Sequence, residues 1–283
     1  MYNPAESNNP DDAAKEHFDK ISANYERLTG GCTRDVARHL LSLGPPITST
    51  STILDNGCGS GVVTDEIFKS QAPTALPATI HAVDVSPGMV QLTQAKAERG
   101  GWQNVKTGVM GAEELTFPDN TFSHSFSNFV VFFAPDAVKA TSQIHRTLKP
   151  GGTALITAWD HLGFLPPALK VQKDIRPDLP PFKMPIPDEW FTASHFEKVL
   201  SSAGFEKISM TQKQTAMREA DLDGLAGIIS EFLIKITESW TDAEKEQWRP
   251  KLREALHNDP DLLRGDSGEV AVPMLANVAV VVK

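Results

Sequence analysis

Apolar residues recur along this chain at two spacings, and the switch between them marks its organisation. From Ala13 to Leu28 they come at threes and fours, as Phe18, Ile21, Tyr25 and Leu28, the spacing of one helical face. Gly30-Gly31 interrupts that face. A second helix is predicted from Thr33, a suitable N-cap, to Leu43, where Gly44-Pro45-Pro46 ends it. Short apolar runs then alternate with helical stretches. The pattern predicts strands at 52–56, 79–83, 104–109, 122–129 and 152–159, and helices at 61–70, 87–99 and 136–147. Strands separated by helices imply crossover connections and a parallel sheet, which places the chain in the α/β class.

The alternation pauses after the fifth strand. Leu165 to Pro187 holds Pro166, Pro167, Pro177, Pro180, Pro181, Pro185 and Pro187. Proline lacks a donor and fixes φ, so this stretch reads as irregular loop. It lies at the carboxyl edge of the sheet, where open α/β folds bind ligands, and its length suits a lid. A helix at 192–203 and a strand at 205–211 resume the fold. Residues 221–257 read as helices through Leu225, Ile228, Ile229, Phe232, Leu233 and Ile236, and Met274 to Val282 reads as a strand. The chain thus divides into a disordered 1–12, a core with N-terminal helices over 13–160, a cap loop at 161–191, core again at 192–220, a helical cap insertion at 221–266 and a final strand at 267–283. No internal repeat is present.

Composition narrows the function. A chain of 283 residues, 40% of them hydrophobic, holds one α/β domain of about 150–200 residues plus an elaboration. The net charge of −9 and the lack of a basic stripe argue against a nucleic-acid partner. No apolar run approaches the ~18 residues that span a membrane. The polar start Met1-Tyr2-Asn3-Pro4-Ala5-Glu6-Ser7 has neither signal-peptide nor transit-peptide character. Cys32 and Cys58 form no disulfide framework, so a cytoplasmic, reducing location is expected. No metal-ligand cluster is expected.

Candidate chemistry begins at Ile53-Leu54-Asp55-Asn56-Gly57-Cys58-Gly59-Ser60-Gly61, an apolar run, an acid and a glycine-rich turn. A second run, Ile80-His81-Ala82-Val83, ends in Asp84. The glycines let backbone approach a ligand, and an acid ending the second strand can accept from two ribose hydroxyls. The dinucleotide fingerprint needs a glycine at position 62, where Val62 stands. The turn therefore suits a nucleoside without a pyrophosphate.

These features resemble the class I S-adenosylmethionine-dependent methyltransferases over residues 1–160. Glu113 to Phe122 is similar to the family's E-x-L-P-F-P-D-x-S-F-D segment, and Leu148-Lys149-Pro150-Gly151-Gly152 to its turn before the fifth strand. The resemblance implies a Rossmann-like seven-stranded sheet with helices on both faces, a helical, proline-rich cap, and a last strand inserted antiparallel beside the fifth. It implies S-adenosylmethionine as cofactor and S-adenosylhomocysteine as product.

The implied cofactor residues are Gly57, Cys58, Gly59 and Gly61 in the turn; Asp55 beneath the methionine ammonium; Asp84 on the ribose with Val85 beside it; and Met89 on the adenine. Gly111 stands where many relatives have an acid for the adenine amino group, leaving the backbone of Ala112 and the side chain of Glu113 for that contact. Asn128 presents a carbonyl to the ammonium, and Tyr25 covers the methionine end. Plainer readings stand beside these. Asp84 can be a helix N-terminal acid, Asp55 a structural acid of the turn, Met89 and Tyr25 ordinary core, and Cys58 a small residue contributing only backbone.

Phe129, Phe133, Trp159, His161, Phe164 and Trp190 gather at strand ends and in the proline-rich loop. That concentration suits a small apolar or aromatic acceptor. His161 is the candidate base nearest the pocket, with a capping or surface role as its alternative, whereas His124 and His145 read as structural. The expected function is methyl transfer to a small molecule of fungal secondary metabolism. The start His17-Phe18-Asp19-Lys20, with Tyr25 and Thr29-Gly30-Gly31, is similar to thiol methyltransferases that cap gliotoxin-type dithiols. O- or N-methylation of an aromatic metabolite is the alternative within the enzymes. A non-catalytic, LaeA-like cofactor-binding regulator is the alternative outside them. Acceptor atom and oligomeric state stay open.

Overall fold

The computed structural model describes residues 10–283; the disorder expected of residues 1–9 lies outside them. Pro10 to Asp12, expected to be disordered, instead open helix α1 (Pro10–Ile21). Proline suits a first helical turn because its missing donor has no partner there. A 3-10 turn at Ser22–Asn24 separates α1 from the single turn α2 (Tyr25–Leu28), so the helix predicted over 13–28 is two. Helix α3 (Cys32–Leu43) is capped by Gly31 at φ 77°, not by Thr33. The chain reverses there through the left-handed region, which glycine enters without strain.

The alternating core follows as predicted: β1 (Thr52–Asn56), α4 (Val62–Ser70), β2 (Thr79–Asp84), α5 (Pro87–Gly100), β3 (Val105–Val109), β4 (Phe122–Asn128), α6 (Ala137–Thr147) and β5 (Leu148–Leu162). The proline-rich stretch departs from expectation. Its first half is helix α7 (Leu165–Ile175), with Pro166 and Pro167 in the first turn, where no donor is needed. Only 176–187 is irregular. The chain closes with α8 (Ala193–Ser202), β6 (Lys207–Glu219), α9 (Leu222–Phe232), α10 (Asp242–His257), the two-residue β7 (Leu263–Arg264) and β8 (Val270–Val282).

The strand order is β3-β2-β1-β4-β5-β8-β6, with β7 beside β8. Strands β1 to β5 are parallel, and β8 runs antiparallel between β5 and β6. This is the Rossmann-like seven-strand methyltransferase sheet. Its order reverses between β1 and β4, and such a switch point opens a crevice beyond the strand ends.

Strands β6 and β8 are longer than their apolar runs predict. They pair without a break from Lys207 opposite Val282 to Glu219 opposite Val270, so ladder bonds carry the polar half of β6. Two apolar clusters result. One lies between the sheet and its helices, with Ile53, Leu54, Ile80, Phe126 and Leu155 fully buried or nearly so. The other joins α7, α9 and α10 to the projecting ends of β6 and β8 through Val171, Leu225, Ile229, Trp248 and Leu252. That second cluster holds the cap beside the crevice.

Candidate active site

The turn from β1 to α4 carries three glycines in the left-handed region: Gly57 at φ 69°, Gly59 at φ 54° and Gly61 at φ 76°. Their surroundings separate their roles. A Cβ on Gly57 would lie 2.4 Å from Val130 Cγ2, and one on Gly61 would lie 2.9 Å from Thr93 Oγ1. Those two glycines serve packing. A Cβ on Gly59 would meet nothing nearer than Tyr25 Cε1 at 4.0 Å, so Gly59 backs onto open space. The turn is fastened to β2 by Gly57 N–H and Cys58 N–H, which both donate to the Val83 carbonyl at 2.8 and 2.9 Å. Thr93 Oγ1 donates to the Gly59 carbonyl at 2.8 Å.

Asp84 ends β2 against this turn. Its Oδ2 accepts from Gly59 N–H and its Oδ1 from Ser86 N–H, each at 2.9 Å. Burial pushes its pKa up, and the nearby Asp19 carboxylate adds to this against the backbone donors. Each oxygen keeps a lone pair, and the residue lines a cavity that opens to solvent. Gly57, Cys58 and Gly59 line it on the turn side, Val85 and Met89 beyond β2, Gly111, Ala112 and Glu113 beyond β3, and Asn128 and Phe129 beyond β4. Tyr25 closes it together with Phe18.

Asp55 and Gly61 stand outside this lining. Asp55 lies behind the turn, where its Oδ2 accepts from Thr64 N–H at 3.2 Å and Thr64 Oγ1–H at 2.6 Å. It ties β1 to the first turn of α4, the structural alternative weighed for it. Burial pushes its carboxyl up to about 6 from 3.8, against the Thr64 bonds, and Asp84 adds to the rise. The fold thus holds this acid closer to neutral than the open chain does. Between those two values the folded state binds the extra proton, so stability falls as pH rises from 3.8 to about 6. Asp55→Asn should remove that loss. In urea titrations stepped across the window, the variant's stability should gain on the wild type's as pH rises; a constant difference would refute the assignment.

Three further residues are placed differently from expectation. The Glu113 carboxylate is engaged: Oε1 accepts from Asp136 N–H at 2.7 Å and Oε2 lies 3.5 Å from Lys139 Nζ. It braces the start of α6 instead of standing free for a ligand. His161 is exposed and pairs with Leu275 past an irregularity in β5 after Trp159, which turns it away from both chambers' linings. Trp190 is buried against Phe132, Phe196 and the His195 ring and is core. His124 and His145 are structural as read: His124 bonds Ser123 Oγ and the Pro45 carbonyl, and His145 packs edge-on against Phe205. The Cys58 thiol is pushed far up by burial, with Asp84 and Asp55 adding to it, so it is a poor nucleophile.

A second chamber adjoins the first. The two share Phe18, Tyr25, Thr33, Phe129 and Phe133. The second is completed by Trp159 and Phe164, as expected, and by Met184, Met217, Met274 and Phe232, which the sequence reading did not single out. Phe18 comes from α1 and Tyr25 from α2, on either side of the 3-10 turn, although both stood in one apolar pattern in the sequence. The methionines come from the irregular loop, β6 and β8, which no local pattern brings together. Among the described residues, no Lys, Arg, His, Asp or Glu lines this second chamber.

The first chamber fits a nucleoside with a cationic tail. It offers a carboxylate, a glycine with open space before it and apolar side chains for a base. Among the described residues no cationic side chain lines it, and the turn lacks the glycine spacing of a pyrophosphate site. Among the described residues no metal-binding cluster occurs and no helix is long and apolar enough to cross a membrane.

Residues 54–156 match the family described as a methyltransferase domain. The aklanonic acid methyltransferase DauC of Streptomyces sp. (strain C5) is 30% identical over 141 residues, spanning 50% of this chain and 62% of that one. The acetylaranotin bis-thiomethyltransferase of Aspergillus terreus is 25% identical over 265 residues, spanning 89% of this chain and 91% of that one. The solved YcgJ protein of Bacillus subtilis shares the fold at a TM-score of 0.56 and 15% identity, covering 88% of this chain and 98% of that one. Residues 54–156 thus carry a methyltransferase domain similar to those of the class I S-adenosylmethionine-dependent enzymes, with S-adenosylmethionine as the methyl donor.

Proposed function

We propose that this enzyme methylates a neutral, apolar small molecule at a thiol, with the reduced dithiols of secondary metabolism as the acceptor class. One observation carries the reading. The second chamber shares its wall with the cofactor chamber and, among the described residues, is lined without a charged side chain or a histidine. A charged acceptor entering it would lose its hydration without a partner. Among the described residues, the ionisable groups that line it are Tyr25 and Cys32. Burial raises both, Cys32 to about 12, so neither is a base near neutral pH. An acceptor there must provide its own nucleophile, and a thiol near its pKa ionises readily. The similarity to a bis-thiomethyltransferase over nearly its whole length supports the same class. A regulator would need no enclosed acceptor space beside the cofactor.

S-adenosylmethionine supplies, when bound, a methyl group already activated by its sulfonium. The work left to the chain is alignment and exclusion of water. Asp84 holds the ribose, the Gly59 backbone lets the cofactor lie close, and Val85 and Met89 pack the adenine. Phe18 and Tyr25 seal the methionine end. Phe129 and Phe133 separate the chambers and set the line along which the acceptor approaches.

A panel of neutral thiols, phenols and amines, assayed in single turnover against pH, tests the reading. Thiols should be methylated fastest, at a rate that rises with pH along the acceptor's own titration. His161→Ala should match wild type within about 2-fold, because the residue faces away from the chamber. A collapse of about 10²-fold in that variant, with binding intact, would restore a general base and favour a hydroxyl acceptor. Methylation of amines or phenols alone would overturn the thiol assignment.

A further inference from the structure

We propose that Thr157 is a positioning residue for methyl transfer, whose hydroxyl pins the backbone of Phe129 and so fixes the wall between the two chambers. Phe129 has φ 63°. Only two non-glycine residues among those described lie in this region, and the other is Asn120, a type that tolerates it. A phenylalanine does not enter it unless its surroundings hold it there.

The holding contact is specific. Phe129 N–H donates to Thr157 Oγ1 at 2.8 Å. Thr157 Oγ1–H in turn donates to Asn128 Oδ1 at 3.0 Å, and Asn128 Nδ2 donates to the Thr33 carbonyl at 3.1 Å. Thr157 is fully buried and stands opposite Asn128 across β4 and β5. Its hydroxyl therefore serves β4's last residue and the first residue beyond it, and links both to α3.

The consequence reaches the chambers. The Phe129 ring stacks on Trp159 with centroids 3.8 Å apart and planes 11° apart. Trp159 lies two residues beyond Thr157 on β5, so both project to one face. Asn128 and Phe129 line the cofactor chamber, while Phe129 and Trp159 line the acceptor chamber. Without the hydroxyl, Phe129 can relax towards an ordinary backbone conformation and carry its ring out of the stack. The acceptor then loses the surface that aims it.

The kinetic part rests on the acceptor reading above; the structural part does not. Thr157→Val keeps the branched shape and removes the hydroxyl, whereas Thr157→Ser keeps the hydroxyl. In crystal structures, Phe129 should leave the left-handed region in the valine variant and stay there in the serine variant. With the thiol that wild type turns over best, kcat of Thr157→Val should fall about 10- to 100-fold, as expected for lost alignment. S-adenosylhomocysteine affinity by calorimetry should stay within about 3-fold, and Thr157→Ser should retain near-wild-type kcat.

The proposal is overturned by an unmoved Phe129 in Thr157→Val, by a serine variant as impaired as the valine, or by equal losses of cofactor affinity and kcat. Should Thr157→Val not fold, Thr157→Ala repeats the deletion without added methyl bulk. Failure of both to fold would make the residue structural and would also overturn it. A wild type that prefers charged acceptors, or methylates no thiol, would refute the acceptor reading; the position of Phe129 in the variants would still decide the role of Thr157.

Discussion

Gly59→Val is expected to abolish measurable cofactor binding while the sheet and its helices persist. Two effects act there. The backbone sits at φ 54°, which a β-branched residue adopts only under strain. The new side chain also projects into the cavity, since the nearest atom to its Cβ is Tyr25 Cε1 at 4.0 Å. Gly101→Val separates the two. Gly101 sits at φ 66° with nothing within 4 Å of a Cβ, at the end of α5 and outside both chambers' linings. It should show the backbone strain alone, as a lower melting temperature with S-adenosylhomocysteine affinity within about 3-fold of wild type. Gly59→Val should lose about 10²-fold or more, because a side chain occupying ligand space displaces the ligand as well. Calorimetry on the folded variants decides the matter. Equal affinities in Gly59→Val and wild type would remove the turn from the binding site.

Asp84→Ala should weaken cofactor binding by about 10- to 150-fold, the loss of about 1.5–3 kcal/mol for hydrogen bonds to a charged group. The carboxylate also holds Gly59 N–H and Ser86 N–H, so part of the loss comes through the turn. Asp84→Asn tests that division, since its single acceptor oxygen can keep one of those donors but not the charge. Because burial raises the Asp84 pKa, affinity should begin to fall on acidification sooner than an ordinary carboxylate would allow. Unchanged affinity in Asp84→Ala, with circular dichroism intact, would end the ribose assignment.

The core alternation was readable because each of its elements satisfies a local rule. Strands β1, β2 and β5 carry apolar runs bounded by turn residues, and α5 announces itself through Ser86 and Pro87, with Ser86 Oγ accepting from Met89 N–H. The left-handed turn after β1 was readable for the same reason, since only glycine supplies three such positions in five residues. Helix α7 was misread because a proline count ignores position. At the first turn proline is harmless, and the same residue is disruptive elsewhere. The structural role of Asp55 was not separable from a cofactor role in the sequence, because an acid at a strand end looks alike whether it faces a ligand or the following helix. Thr64, nine residues on, decides which, and that depends on how α4 folds back.

Sequence by itself determined the α/β order, the glycine turn, the acid ending β2 and the absence of phosphate-binding spacing, because these depend on neighbours close in the chain. Tertiary structure alone decided which residues share a chamber. Met184, Met217 and Met274 come from three separated segments, and His161 and Trp190, near the site in sequence, turn elsewhere in space. The pinning of Phe129 by Thr157 was equally invisible. It joins residues 28 positions apart, and only the register of β4 on β5 brings that hydroxyl to that N–H. Local steric rules fix turns and periodicity, while side-chain convergence follows from how strands align and helices pack, which no short window of residues contains.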